Sequence, residues 1–228
     1  GADGARSTVA RRFGLGVNRR FLVGTEVELT GVSGLDPECL HCLLDSRLAP
    51  GYLAWAFTGV ATTQVGLACV AHWRPDLRAW LERLGGLCDM SRARVVARRG
   101  GLIPVGGVVA PCHAPQVMLI GDAAGVVSPL SAGGIHTALS TGRLAAHLLA
   151  DHLLDGGLEP GTLLARRLPR FRLKRIARRL LELRPPGIAL DALLESRAFR
   201  AAAARIFFHR RAHPRRRASG ESVLDPRC

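Results

Sequence analysis

The chain has 228 residues, is 48% hydrophobic and 22% charged, and carries a formal net charge of +14. This composition excludes a disordered chain, and no apolar run reaches the roughly 18 residues that a membrane-spanning helix needs. The positive charge is local: residues 162–217 hold 17 Lys+Arg against 3 Asp+Glu, and the rest of the chain holds 15 of each. With a neutral body, no recognised binding motif and no interleaved aromatics, nucleic acid is not an expected partner.

The chain opens Gly-Ala-Asp-Gly, without an initiator Met, a basic leader or an apolar signal core. It therefore reads as a piece of a longer, cytoplasmic protein. A short basic helix is expected over residues 7–12, and Phe21–Thr30 suits a strand. After a turn-rich break at 31–37, strands are expected at 38–45, 52–57 and 64–70, close enough together for an antiparallel sheet. Residues 75–84 carry a helical pattern with Pro75 at the start and Gly85-Gly86 at the end. A further strand falls near 94–97. Cys39 and Cys42 form a lone C-x-x-C with no second Cys/His pair, so no metal site is assigned, and the cysteines read as small buried hydrophobes.

From residue 100 to residue 142 the only formal charge is Asp122. The apolar run 117–120 is expected to be a strand buried on both faces. It leads into Gly121-Asp122-Ala123-Ala124-Gly125, a loop over 126–133 and a long helix over 134–155 that stops at Gly156-Gly157. A lone carboxylate at the end of a buried strand must reach solvent, meet backbone amides or hold a ligand hydroxyl. Its surroundings favour a ligand. Small residues allow close approach to the backbone, and the helix start at Gly133-Gly134 offers free N–H groups and a positive dipole end.

The segment 117–146, VMLIGDAAGVVSPLSAGGIHTALSTGRLAA, resembles the second flavin-contact motif of the p-hydroxybenzoate hydroxylase superfamily, and within it most resembles the geranylgeranyl reductase family. Residues 1–11, GADGARSTVAR, resemble the same superfamily's Asp-Gly motif, which lies upstream in the same order. The resemblance implies an α/β (α+β) fold: part of an FAD-binding Rossmann-like domain from 1–30 and 100–158, an inserted antiparallel-sheet substrate domain at 31–99, and a basic helical region at 159–228. It implies that Asp122 accepts a hydrogen bond from the ribityl chain of FAD, within the small-residue turn of Gly121 and Ala123. Pro129, Gly133, Gly134 and Ile135 would place backbone against the flavin ring. Asp3, Gly4 and Ser7 would lie near the pyrophosphate and the path of a nicotinamide cofactor, and Arg6 is either a phosphate partner or a solvated surface residue. The family's opening G-x-G-x-x-G unit is missing. The nearest match, Gly14-Leu15-Gly16-Val17-Asn18-Arg19, lacks the third glycine and follows no buried strand, so the unit is expected before Gly1.

PGYLAWAF at 50–57 resembles the reductases' Tyr/Trp/Phe strand motif, which implies a substrate role for Tyr52, Trp55 and Phe57. On a strand, Tyr52 and Trp55 would face opposite sides, so either pocket lining or sheet packing is open to each. His113 and His136 read as structural, and no catalytic acid or base is assigned. The implied activity is reduction of carbon–carbon double bonds in a polyprenyl lipid by hydride passed from NAD(P)H through FAD. A flavin-dependent monooxygenase or halogenase is the enzymatic alternative. The basic tail suggests another: in 170–184, Leu173, Ile176, Ala177 and Leu180 form one helical face and Lys174, Arg175, Arg178 and Arg179 the other. Such a helix suits peripheral contact with an anionic membrane through 162–217 at its inner face, at ~1 kcal/mol per basic residue. It equally suits an inactive fragment that binds membranes or partners, or a solvated helix covering the main domain.

Overall fold

The alternating pattern of Phe21–Thr30 forms a strand, β1, on which the sheet is built. A computed structural model describes residues 1–182, 196–198 and 201. β1 joins His41–Leu43 (β2), Ala54–Thr58 (β3), Thr63–Val70 (β4) and Arg94–Pro104 (β5) in a five-stranded antiparallel sheet of order β2-β3-β4-β1-β5. The sheet thus draws on residues on both sides of the 31–99 stretch.

Side chains near the strand ends decide where pairing stops. β2 fills only the centre of 38–45, because Asp36 Oδ1 accepts from the Glu38 amide at 2.9 Å and Asp45 Oδ1 from the Arg47 amide at 2.8 Å. β3 begins at Ala54 instead of residue 52, since the Tyr52 amide donates to the Ala49 carbonyl in a turn and Gly51 takes φ +76°. β5 runs past residue 97 to Pro104 because β1 pairs with it along its whole length. The helix expected from residue 75 begins at Leu77: Leu77–Leu84 (α2) is capped by Asp76, which accepts from the Ala79 amide at 3.0 Å.

One face of the sheet packs Val27, Leu29, Ala54, Ala56, Val65 and Leu67 against Trp80 and Leu84 of α2. On the other face the register aligns Cys42, Trp55, Gly66, Glu26 and Arg99 in one row across all the strands. The Trp55 indole lies over Gly66, where a Cβ would sit 2.4 Å from its Cζ2, and its Nε1–H donates to Glu26 Oε2 at 3.0 Å. Cys39 and Cys42 are exposed, which corrects their expected burial: Cys39 sits in the turn before β2, and its thiol donates to Asp36. Cys69 and Cys112 are buried.

A second core gathers Thr8–Arg12 (α1), the 3₁₀ turn Gly121–Ala124, Ile135–Asp155 (α3) and Pro160–Arg167 (α4). Ser7 caps α1, and α3 stops at Gly156 with φ +66°. The expected strand at 117–120 is mostly a hairpin arm. Val117–Met118 (β7) pairs with His113–Ala114 (β6), and both residues of β7 are only half-buried. Leu119 is fully buried, and Gly1 lies beside it in a parallel bridge, donating to the Met118 carbonyl at 2.7 Å and accepting from the Ile120 amide at 3.0 Å. Among the described residues β7 pairs with β6 alone as a strand, in a two-stranded hairpin, and not as an interior strand of a larger sheet layered on both faces.

Beyond α4, the chain breaks at Pro169 and resumes as Arg172–Glu182 (α5). Most of the basic segment after residue 182, and the membrane or partner contact expected of it, lie outside the described residues.

Candidate functional site

Asp122 sits in the 3₁₀ turn between two left-handed glycines, Gly121 (φ +54°) and Gly125 (φ +68°). A side chain on Gly125 would meet the Gly107 carbonyl oxygen at 2.4 Å, so this glycine lets two loops touch. The Asp122 carboxylate is half-buried, and burial raises its pKa above the ordinary carboxylate value. No described residue donates a hydrogen bond to it. Oδ1 points at Gly134, 3.3 Å from where a Cβ on that glycine would sit.

Gly134 is the N-cap of α3 and supplies no side-chain cap, so the positive dipole end of a 21-residue helix lies beside the carboxylate. The loop before it closes on itself. The Ser128 amide donates to the Gly133 carbonyl at 3.1 Å and the Ala132 amide to the Ser128 carbonyl at 2.9 Å. Thr137 Oγ1 donates to the carbonyls of Val126 and Gly134, fixing the loop on the helix. Pro129 is buried, whereas Gly133 is exposed and Ile135 is 83% exposed. Asp122, Val127, Gly134, Ile135 and Ala138 line an open cleft of about 400 Å³, with Ile103 of β5 on its far side. Gly121 and Ala123 are buried behind it.

The N-terminal loop supports this cleft indirectly. Asp3 accepts from the Ser7 hydroxyl at 2.7 Å and from the Thr8 and Val9 amides at 2.6 and 3.0 Å, and these bonds hold its carboxyl at about 2. That carboxylate therefore organises α1. Gly4 takes φ +82°, and Arg6 is exposed. Asn18 connects the two motifs: its Nδ2 donates to the Ala5 carbonyl at 3.1 Å and to the Asp122 carbonyl at 2.8 Å. Sequence reasoning missed this residue. It lies in the Gly14–Arg19 segment discarded as a cofactor loop, and a single Asn in a turn carries no further signal.

The aromatic trio is divided. Tyr52 and Trp55 pack on one cluster with Leu22, Ala68, Val70 and Val105, together with Ile103 and Ala132. The expected opposite facing fails because Tyr52 precedes β3 and is not subject to strand alternation. Its hydroxyl donates to the Ser131 carbonyl at 2.7 Å, tying the sheet to the loop that follows Asp122. Phe57 instead lines a separate shallow cleft with Pro37, Cys39 and Leu40. His113 stands 3.7 Å from Glu159 at the start of α4, and His136 is exposed on the first turn of α3.

The orientation of α5 is opposite to that expected of a basic surface helix. Lys174 donates to Ser128 Oγ at 3.4 Å and Arg178 is buried, while Leu173, Ile176 and Leu180 are 81%, 55% and 60% exposed. Among the described residues, no group of three or more His, Cys, Asp or Glu side chains is placed to hold a metal, and no helix is long and apolar enough to cross a membrane.

No protein-family model matches the chain. It is 31% identical over 177 residues to digeranylgeranylglycerophospholipid reductase 2 of Methanothermobacter thermautotrophicus, an alignment covering 76% of this chain and 45% of the relative. Menaquinone reductase of Mycolicibacterium smegmatis is 35% identical over 164 residues, covering 66% and 40%. The chain thus spans about half the length of the curated relatives it matches. Among solved structures, a geranylgeranyl bacteriochlorophyll reductase-like protein from Thermoplasma acidophilum superposes with a TM-score of 0.74 at 21% identity, over 91% of this chain and 58% of that one. A flavin-dependent brominase shares the fold at a TM-score of 0.53 and 15% identity, over 90% and 53%.

Proposed function

The chain belongs to the geranylgeranyl reductase family of FAD-dependent enzymes, and on that footing we propose that it forms the flavin cradle and substrate sheet of a reductase acting on carbon–carbon double bonds of an isoprenoid lipid. The observation that carries the reading is Asp122: a half-buried carboxylate without a described protein donor, facing the uncapped N-terminus of α3 across glycine. These residues fit FAD. Asp122 would accept from a ribityl hydroxyl, the Gly121–Ala123 turn would allow close backbone approach, and Gly134 and Ile135 in the cleft, with Pro129 and Gly133 of the loop before them, would present backbone to the ring. The helix end stabilises negative charge at that position. FAD, when bound, supplies hydride transfer from NAD(P)H to the lipid. Asp3, Gly4 and Ser7 shape the neighbouring loop, with Arg6 as a solvent-side phosphate partner.

In this reading, the body built from 1–30 and 100–158 holds the cofactor side. The stretch 31–99 supplies the substrate sheet, completed by β1 and β5, and the described part of 159–228 adds α4 and α5. Tyr52 and Trp55 reach the cleft through the apolar cluster they share with Ile103 and Ala132, which line it. Phe57 packs the sheet edge. The relatives' names leave two lipid classes open: an isoprenoid glycerophospholipid and an isoprenoid quinone. The test is anaerobic turnover of a geranylgeranyl lipid with FAD and NAD(P)H. Saturated product without oxygen supports the reading. A hydroxylated or halogenated product that requires oxygen replaces it with the monooxygenase or halogenase alternative.

A peripheral membrane contact belongs to the same proposal, with α5 as its centre. The exposed stripe Leu173–Ile176–Leu180, flanked by exposed Arg172, Arg175 and Arg179, suits the interface of an anionic bilayer at the inner face of the membrane. Replacing the three apolar residues with serine is expected to abolish sedimentation with anionic vesicles. Unchanged sedimentation would remove α5 from the contact.

A further inference from the structure

Among the described residues, three that are not glycine hold a left-handed φ: Gln116, Ala132 and Phe171. Of these, Ala132, at +50°, is the one that borders the cleft of Asp122 and Gly134. A left-handed alanine is disfavoured because its Cβ crowds the following carbonyl oxygen, so neighbouring contacts must hold it there. Its own turn supplies some of them. The Ala132 amide donates to the Ser128 carbonyl at 2.9 Å, the Ser128 amide to the Gly133 carbonyl at 3.1 Å, and the Ser131 amide to Ser128 Oγ at 3.4 Å.

A further hold comes from the sheet. The Tyr52 hydroxyl, 79 positions away in sequence, donates to the Ser131 carbonyl at 2.7 Å. That carbonyl and the Ala132 N–H belong to one planar peptide group and point to opposite sides of it. The peptide is therefore gripped at both ends, by Tyr52 on the sheet side and by Ser128 within the turn. Rotating it would exchange the left-handed φ of Ala132 for an extended one, which alanine prefers, and would break both bonds. Tyr52 is well placed to prevent this. Its amide donates to the Ala49 carbonyl at 3.0 Å, and its ring packs with Leu22, Val70 and Val105. Burial raises the pKa of its hydroxyl, which stays protonated and donates.

We infer that Tyr52 is a positioning residue for the flavin: its hydroxyl latches the 131–132 peptide with Ala132 left-handed, and so preorganises the turn that carries Gly133 and Gly134. A turn already ordered leaves less ordering to be done when the cofactor binds. The inference rests on the flavin-cradle reading and gives Tyr52 a role separate from contact with the lipid.

The test combines FAD titration, followed by quenching of flavin fluorescence, with hydrogen–deuterium exchange of the FAD-free chain. The proteins compared are wild type, Tyr52→Phe and the double variant Tyr52→Phe/Ala132→Gly. Phenylalanine keeps the ring in its cluster and removes only the hydroxyl. Loss of one neutral hydrogen bond predicts FAD affinity about 3- to 10-fold weaker and exchange over 128–134 faster by a similar factor. Exchange along β1 and β4 is expected to stay unchanged, which reports that the fold is kept. Glycine holds a positive φ without penalty, so adding Ala132→Gly is expected to recover most of the lost affinity. A tyrosine that acted only by packing would show no such rescue. Equal FAD affinity in wild type and Tyr52→Phe, unchanged exchange over 128–134, or a loss that Ala132→Gly leaves in place overturns the latch. Exchange needs no cofactor and so separates the two claims. A wild-type chain that binds no FAD, while Tyr52→Phe still speeds exchange, counts against the flavoprotein reading and supports the latch within the turn.

Discussion

Replacing Asn18 probes how the two loops of the cleft are joined. Its Nδ2 makes two hydrogen bonds, to the carbonyls of Ala5 and Asp122, while its buried Oδ1 has no partner. Each bond contributes about 1 kcal/mol net, and removing the unpaired acceptor offsets part of the loss, so Asn18→Ala should cost about 1–2 kcal/mol. Asn18→Asp keeps the shape but has no donor and sets a carboxylate against two carbonyl oxygens. Its cost should be at least about 3 kcal/mol at neutral pH. At about 2–4 °C per kcal/mol for a chain of this size, thermal unfolding followed by circular dichroism should show Tm lowered by about 2–8 °C for Ala and by at least about 6 °C for Asp. The Asp deficit should shrink as pH falls, because a protonated carboxyl regains one donor. An aspartate variant as stable as wild type, or more stable than the alanine variant, would refute the bridging role.

Three further outcomes follow from single positions. Gly66→Ala places a methyl 2.4 Å from Trp55 Cζ2 and 2.9 Å from the Thr25 carbonyl oxygen, so it should cost at least about 1–3 kcal/mol in urea unfolding and shift Trp55 fluorescence. Asp3 has its carboxyl lowered from 3.8 to about 2, chiefly by the Ser7 hydroxyl, so its contribution is present above about pH 4 and is lost as pH falls through 2. Asp3→Asn should remove that acid dependence in a pH series of melting curves. Asp122 has the opposite sign: burial raises its pKa, so its ionised form costs stability at neutral pH and the cost disappears on acidification. Asp122→Asn should therefore raise the Tm of the FAD-free chain at pH 7, and a lowered Tm would mean that an unseen protein donor holds the carboxylate.

Elements governed by local chemistry were legible in the sequence. The alternation of β1, the glycine stop of α3 and the break at Pro169 all act within a few residues, and the structure keeps them. The contrast between lone Asp122 and its apolar surroundings likewise marked the cleft, because an isolated charge in an apolar stretch needs a local reason. What the sequence hid depends on distant partners. The length of β5 is set by pairing with β1, the half-burial of β7 by its hairpin partner, and the facing of Tyr52 by a turn that takes it out of strand alternation. Asn18 matters only because the fold brings Ala5 and Asp122 together. The helical pattern of α5 separated Leu173, Ile176 and Leu180 from Lys174 and Arg178, but Arg175 and Arg179, expected on the same face as those two, are exposed beside the leucines, and the side that turns inward was not legible. Lys174 reaches Ser128 on the protein side and Arg178 is buried, paired with Glu182 one turn on in the same helix, and this leaves the leucines outside.

The central claim is that Asp122 and the α3 N-terminus form a flavin cradle. The most direct measurement is a titration of the purified chain with FAD, followed by quenching of flavin fluorescence, in wild type and Asp122→Ala. The account predicts saturable binding by wild type and an affinity about 10- to 100-fold weaker in the variant, the expected loss of a hydrogen bond to a charged acceptor. Equal affinity in the two proteins, or no saturable binding by the wild-type chain, would contradict it.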